Sequence, residues 1–111
     1  MTKEEMQSMS FQIISYAGDA YSSFAEAIDK AKVYDLEESE RLIKYGQEQL
    51  THAHKSQTEL LVAEANEEEM PFSIIMVHAQ DHLMNAVMYE RIAKEFIELY
   101  KDKKEWRETH A

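Results

Sequence analysis

Two histidines one helical turn apart, His78 and His82, bracket Gln80 and Asp81 in a stretch otherwise poor in charge. At i, i+4 spacing on a helix the two rings lie on neighbouring parts of one surface, and such a pair supports several chemistries. It can ligate a transition metal with Asp81 between the rings, although the chain has neither a Glu-x-x-His pair nor His-Glu-x-x-His. It can be a pair of core or interface histidines satisfied by hydrogen bonds. Alternatively, a neutral imidazole, with a reference pKa of about 6.5, can accept a phosphoryl group without help from Cys, Ser or a cofactor. Phosphoryl transfer is chiefly positioning plus charge stabilisation, and Gln80, His82 and a nearby helix start are candidate donors. Spacing alone leaves all three open. His52 and His54 are two apart and diverge around a helix, which suits surface or seam positions, and His110 has no periodic context.

The elements that must position these residues follow from sparse punctuation. The chain holds 2 Gly and 1 Pro in 111 residues, far below the roughly 12% usual for the two together. Breaks fall at 33–35 and 66–71, leaving three segments of about 30 residues, each long enough for a helix of about 45 Å. The expected architecture is all-α, an antiparallel three-helix up-down bundle in one domain spanning 1–111, with helices at 3–32, 36–66 and 71–102 and a fraying tail at 103–111. Thr2 with Glu5 and Asp35 with Glu38 form capping-box patterns. Met6, Met9, Ile13, Tyr16, Ala20, Phe24, Ala27 and Ala31 make one apolar stripe on the first helix. Phe11, Ile14, Gly18, Tyr21, Ala25 and Ile28 make a second beside it. Gly18 costs about 1 kcal/mol of helix propensity, a cost consistent with close approach of a neighbouring backbone. The second helix carries most of the charge and a light seam of Leu36, Ile43, Gly46, Leu50, Ala53, Gln57 and Leu60. Glu67-Glu68-Glu69 and Pro71 mark the turn into the third helix.

From Pro71 through Tyr89 the only formally charged residue is Asp81, in a chain where 31% of residues are charged. The third helix has one apolar stripe through Ile75, Ala79, Ala86, Tyr89, Ala93, Phe96 and Tyr100. A second, at heptad-like spacing, runs through Ile74, His78, Asp81, Asn85, Met88, Ile92 and Leu99. Two other helices cannot cover both stripes, which predicts a homo-oligomer. Under cyclic symmetry Asp81 meets its own copies, and their repulsion must be relieved by protonation, by a Lys or Arg from another helix, or by a bound cation. Hard oxygen ligands favour an ion such as Mg²⁺.

Composition removes other classes. The formal net charge of −10 repels phosphate backbones, so nucleic acid is not an expected partner. With no cysteine there is no disulfide, thiolate zinc site or cysteine nucleophile, which suits a reducing compartment. The N-terminal residues lack a signal-peptide pattern, and no run approaches the roughly 18 apolar residues of a membrane span. The expectation is a cytoplasmic protein with no direct membrane insertion.

The sequence resembles the lactose/cellobiose-specific enzyme IIA components of the bacterial phosphoenolpyruvate-dependent sugar phosphotransferase system. The resemblance runs through Ile14-Ser15-Tyr16-Ala17-Gly18-Asp19-Ala20, Ala53-His54-Lys55-Ser56-Gln57-Thr58, Pro71-Phe72-Ser73 and, most specifically, Val77-His78-Ala79-Gln80-Asp81-His82-Leu83-Met84. It implies a phosphotransferase component working as a homotrimer of three-helix subunits. The histidine matched by His78 takes a phosphoryl group on Nε2 from the phosphocarrier HPr and passes it to a cysteine of the cognate IIB component during disaccharide uptake. It also implies a divalent cation at the trimer axis on Asp81, Gln80 and His82 beside the active histidine, and no organic cofactor. Ala79 stands where a glycine is common in this family, and 102–111 match no family pattern. The rival reading is a metal-cored structural or regulatory trimer without phosphoryl transfer; a helical-bundle metalloenzyme would need further ligands converging on His78, Asp81 and His82. Because the family's IIA component handles phosphate and not sugar, lactose-, cellobiose- and chitobiose-type systems are not separated by these residues.

Overall fold

Capping and turn chemistry divide the chain as its punctuation predicts. A computed structural model describes residues 1–66 and 68–111 and contains α1 (Lys3–Lys32), α2 (Leu36–Ala65) and α3 (Ile74–Thr109), with no strand among the described residues. Thr2 Oγ1 accepts from the Glu5 N–H at 3.1 Å and Asp35 Oδ1 from the Glu38 N–H at 3.2 Å, each satisfying a backbone donor that the helix leaves free. Tyr34 makes the α1–α2 turn at φ 63°, a left-handed conformation that glycine adopts more easily. Of the acidic run before Pro71, Glu67 lies outside the described residues.

Both ends of α3 differ from expectation. It begins at Ile74, not at residue 71, because Ser73 is extended (φ −148°, ψ 131°) and takes the N-cap position, which leaves Pro71 outside the first helical turn in which it is expected. At the other end the predicted fraying tail is helical to Thr109. Tertiary contact supports those turns. The Arg107 guanidinium donates to Tyr34 Oη at 3.2 Å and lies 5.5 Å from the centre of that ring, tying the tail to the α1–α2 turn.

Cross-helix hydrogen bonds fix direction and register. Ser23 Oγ donates to the Leu42 carbonyl at 2.7 Å and Ser39 Oγ to the Ala27 carbonyl at 2.8 Å, so α1 and α2 run antiparallel. Between α2 and α3 the polar pairs Gln57–Gln80, Gln47–Glu90 and Glu40–Lys101 give the same sense. The result is an up-down bundle measuring 64 × 19 × 19 Å. At its centre α1 buries Met6, Ile13, Ala17, Ala20 and Phe24 against Leu50, Ala53 and Leu60 of α2 and Ala79, Leu83, Ala86 and Ala93 of α3. The alanines let the helices approach, and Gly46 makes room for the Phe24 ring, which a Cβ there would overlap. Gly18 does not repeat this. A Cβ there meets nothing within 4 Å, so the backbone approach expected at that glycine is absent within one chain.

The second stripe of α3 is uncovered, whereas that of α1 is exposed only at Phe11 and Tyr21 and ends on the buried Ile28. Ile74, Met88 and Leu99 are 77, 64 and 63% exposed, and Phe11 is 59% exposed. Among the described residues no helix is long and apolar enough to cross a membrane.

Candidate functional site

His78 lies in the second turn of α3, about 6 Å along the axis from the helix start at Ile74. Ser73 makes no side-chain capping bond and the first turn has no acidic residue, so the positive end of the helix dipole near His78 is not neutralised locally, a setting that favours an anion. Leu83 and Ala79 bury this part of α3 on the core, while His78 itself is exposed.

The i, i+4 spacing brings the two imidazoles together. His82 Nε2 is 3.0 Å from His78 Nε2, with ring centres 4.4 Å apart and planes at 86°. In a neutral pair one nitrogen carries the shared proton and the other presents a lone pair. When His82 is the donor, His78 Nε2 is unprotonated and fit for nucleophilic attack. His82 also lines a 610 Å³ cleft between α1 and α3, with Gly18, Tyr21, Ser22, Asn85, Met88 and Tyr89. Tyr21 and Tyr89 stack there at 4.3 Å. Burial raises the Tyr89 phenol pKa, with Tyr21 and Asp29 adding to the effect, so it stays a neutral hydroxyl. Of these lining residues, Asn85 was open to detection as the i+3 neighbour of His82. Tyr21 and Ser22 come from another helix and carry no local signal.

Gln80 is not beside the imidazole pair. Two residues on from His78 it is turned about 200° around the helix, and its Oε1 accepts from Gln57 Nε2 at 2.5 Å in the α2–α3 groove. The expected flanking role therefore has no support within one subunit. Asp81 is exposed, with Val77, Met84 and Met88 as its exposed helical neighbours at i−4, i+3 and i+7. Among the described residues no group of three or more His, Asp or Glu side chains is placed to hold a metal. The chain thus presents Asp81 as one exposed carboxylate, and among the described residues the histidine pair has no third ligand for a metalloenzyme centre. His52 is exposed and stacks on Tyr16 at 4.9 Å, and His110 stacks on Trp106 at 4.4 Å, both away from the pair in sequence and contact.

Comparison with known proteins places this arrangement. A family model described as the lactose/cellobiose-specific IIA subunit of the PTS system matches residues 8–101. The lactose-specific EIIA component of Staphylococcus epidermidis is 43% identical over 101 residues, covering 91% of this chain and 97% of that protein. The crystal structure of the PTS cellobiose-specific enzyme IIA from Bacillus anthracis superimposes with a TM-score of 0.88 at 38% identity, covering 94% of each chain. The IIA(Chitobiose) component of Escherichia coli, solved in solution as a complex with HPr, gives a TM-score of 0.78 at 30% identity, covering 89% of this chain and 96% of that one. The bundle that presents His78 and His82 on α3 is thus that of the lactose/cellobiose-specific IIA subunits of the phosphotransferase system, the family to which this chain belongs.

Proposed function

We propose that His78 is the phosphoryl acceptor, taking the group from phosphorylated HPr and passing it to a cysteine of the cognate IIB component during uptake of a lactose-, cellobiose- or chitobiose-type disaccharide. The observation that carries this is an exposed imidazole whose Nε2 faces a second imidazole nitrogen at 3.0 Å. The HPr complex of the chitobiose relative supports HPr as donor.

In the first step the unprotonated His78 Nε2 forms a bond to phosphorus as the N–P bond of phosphorylated HPr breaks, leaving the donor's nitrogen with the released electron pair. In the second, the IIB thiolate forms an S–P bond as the P–N bond to His78 breaks. His82 Nε2–H, which donates to His78 in the resting pair, transfers that hydrogen bond to a phosphoryl oxygen once the lone pair is consumed. The exposure of His78 in the single chain is what transfer requires, since a nucleophile serving two proteins must be reachable by both, and in a homotrimer that stripe must leave His78 open at a groove.

The uncovered stripe of α3 and its central Asp81 suit a homotrimer, in which three Asp81 carboxylates supply the hard oxygen donors of a divalent cation such as Mg²⁺. Asp81 would hold such an ion, whose 2+ charge would offset most of the repulsion among three carboxylates; the phosphoryl steps are carried by His78 and His82.

Incubation with phosphoenolpyruvate, enzyme I and HPr gives an acid-labile phosphate on the wild-type chain and none on His78→Ala. Persistent labelling of the folded variant rejects the site. Comparing transfer rates to IIB components of different sugar systems identifies the partner.

A further inference from the structure

We infer that Gln57 is a positioning residue for the phosphoryl acceptor, holding the first turns of α3 in register through its hydrogen bond to Gln80; this rests on His78 being that acceptor. Three observations meet here. The start of α3 has no side-chain cap at Ser73 and no acidic residue in its first turn, so the helix does little to secure its own N-terminus. Gln57 Nε2 to Gln80 Oε1, at 2.5 Å and partly buried, is the one side-chain hydrogen bond among the described residues that ties residues 74–84 to another helix. The next such bonds to α2, at Glu90 and Lys101, lie about 15 Å and 30 Å farther along α3.

Gln80 is two residues from His78 and two from His82. A small rotation or axial slip of this segment therefore moves both imidazoles relative to the bundle and changes where His78 meets a partner's phosphoryl group. Buried Ala79 and Leu83 supply apolar packing on the core side, but apolar contact is non-directional. The amide pair adds the directional constraint, on the side of α3 turned away from His78. Gln57 also explains a motif that the transfer chemistry leaves unused. In Ser56-Gln57 the serine hydroxyl donates to Gln12 of α1 at 3.2 Å, while the glutamine donates to α3, so adjacent residues of α2 hold the two neighbouring helices.

The pair of bonds supplies its own control. Gln57→Leu keeps approximate volume and removes the amide. Ser56→Ala removes the neighbouring cross-helix bond without touching α3. Gln57→Glu retains an acceptor to which a rotated Gln80 amide can donate. In rapid-mixing transfer from phosphorylated HPr, Gln57→Leu lowers the saturating rate about tenfold, as expected of a displaced nucleophile, with an unchanged half-saturation concentration of HPr. Amide exchange accelerates in residues 74–82 only. Gln57→Glu recovers most of the rate, and Ser56→Ala transfers at the wild-type rate. Wild-type kinetics in Gln57→Leu, or an equal rate loss in Ser56→Ala of matched thermal stability, overturns the positioning role. Absence of labelling in the wild type would instead reject His78 as the acceptor, so the two failures are distinguishable.

Discussion

At the residue scale the side chains that do chemistry and those that hold the bundle obey different rules. His78 and His82 meet because four residues make approximately one helical turn, and nothing beyond α3 is needed to bring them to 3.0 Å. Glu90 shows the opposite case. Burial opposes its ionisation, but hydrogen bonds from Gln47 at 2.8 Å and Lys94 at 2.9 Å, with the charges of Lys94 and His54, outweigh it and hold the carboxyl pKa below its ordinary value. A carboxylate depressed in the folded state contributes stability above its unfolded pKa and loses that contribution as pH falls through the folded value. Chemical denaturation between pH 6 and pH 3, about the range over which carboxylates titrate, therefore gives a shallower acid loss of stability in Glu90→Gln than in the wild type. An identical acid limb in the two proteins would mean that Glu90 is not coupled to folding. The His78–His82 pair was legible in the sequence because it is local; the Glu90 network was not, because Gln47 is 43 residues away.

At the element scale the two glycines separate what propensity dictates from what packing dictates. Both sit inside helices, where glycine costs about 1 kcal/mol relative to alanine. Gly46 is retained for space, with the Phe24 ring lying where its Cβ would be. Gly46→Ala accordingly destabilises by about 1–3 kcal/mol through overpacking. Gly18 meets open space within the chain, so Gly18→Ala stabilises an isolated subunit by about 0.5–1 kcal/mol. Thermal unfolding of the two variants should move Tm in opposite directions. A loss at Gly18 would place a neighbouring subunit against it. The helix boundaries follow the same division. Thr2 and Asp35 announce α1 and α2 through side-chain caps, whereas Ser73 starts α3 without one and Arg107 extends it by reaching Tyr34, 73 residues away.

At the scale of the whole molecule, one subunit covers only part of its apolar surface. Met84, Met88, Ile92 and Leu99 remain exposed on the α3 face that carries Asp81, more than an isolated bundle would be expected to leave in water. If three such faces meet around a cation, Asp81→Asn removes the bound metal and the repulsion together. Sedimentation then finds the trimer intact while metal analysis finds no stoichiometric ion. A monomeric wild type, or a metal-free wild-type trimer with a basic residue against Asp81, would exclude the cation site. Residue types and their 3.6-residue period determined by themselves the three helices, the capped starts of α1 and α2, the pairing of His78 with His82 and the unusual neutrality of 71–89, because each depends on neighbours within a turn or two. Tertiary structure alone decided that Gln80 turns to Gln57, that Tyr21 and Ser22 complete the cleft beside His82, and that the last turns of α3 hold their form. Those outcomes depend on which helix faces meet, and that is set by packing between residues far apart in the chain.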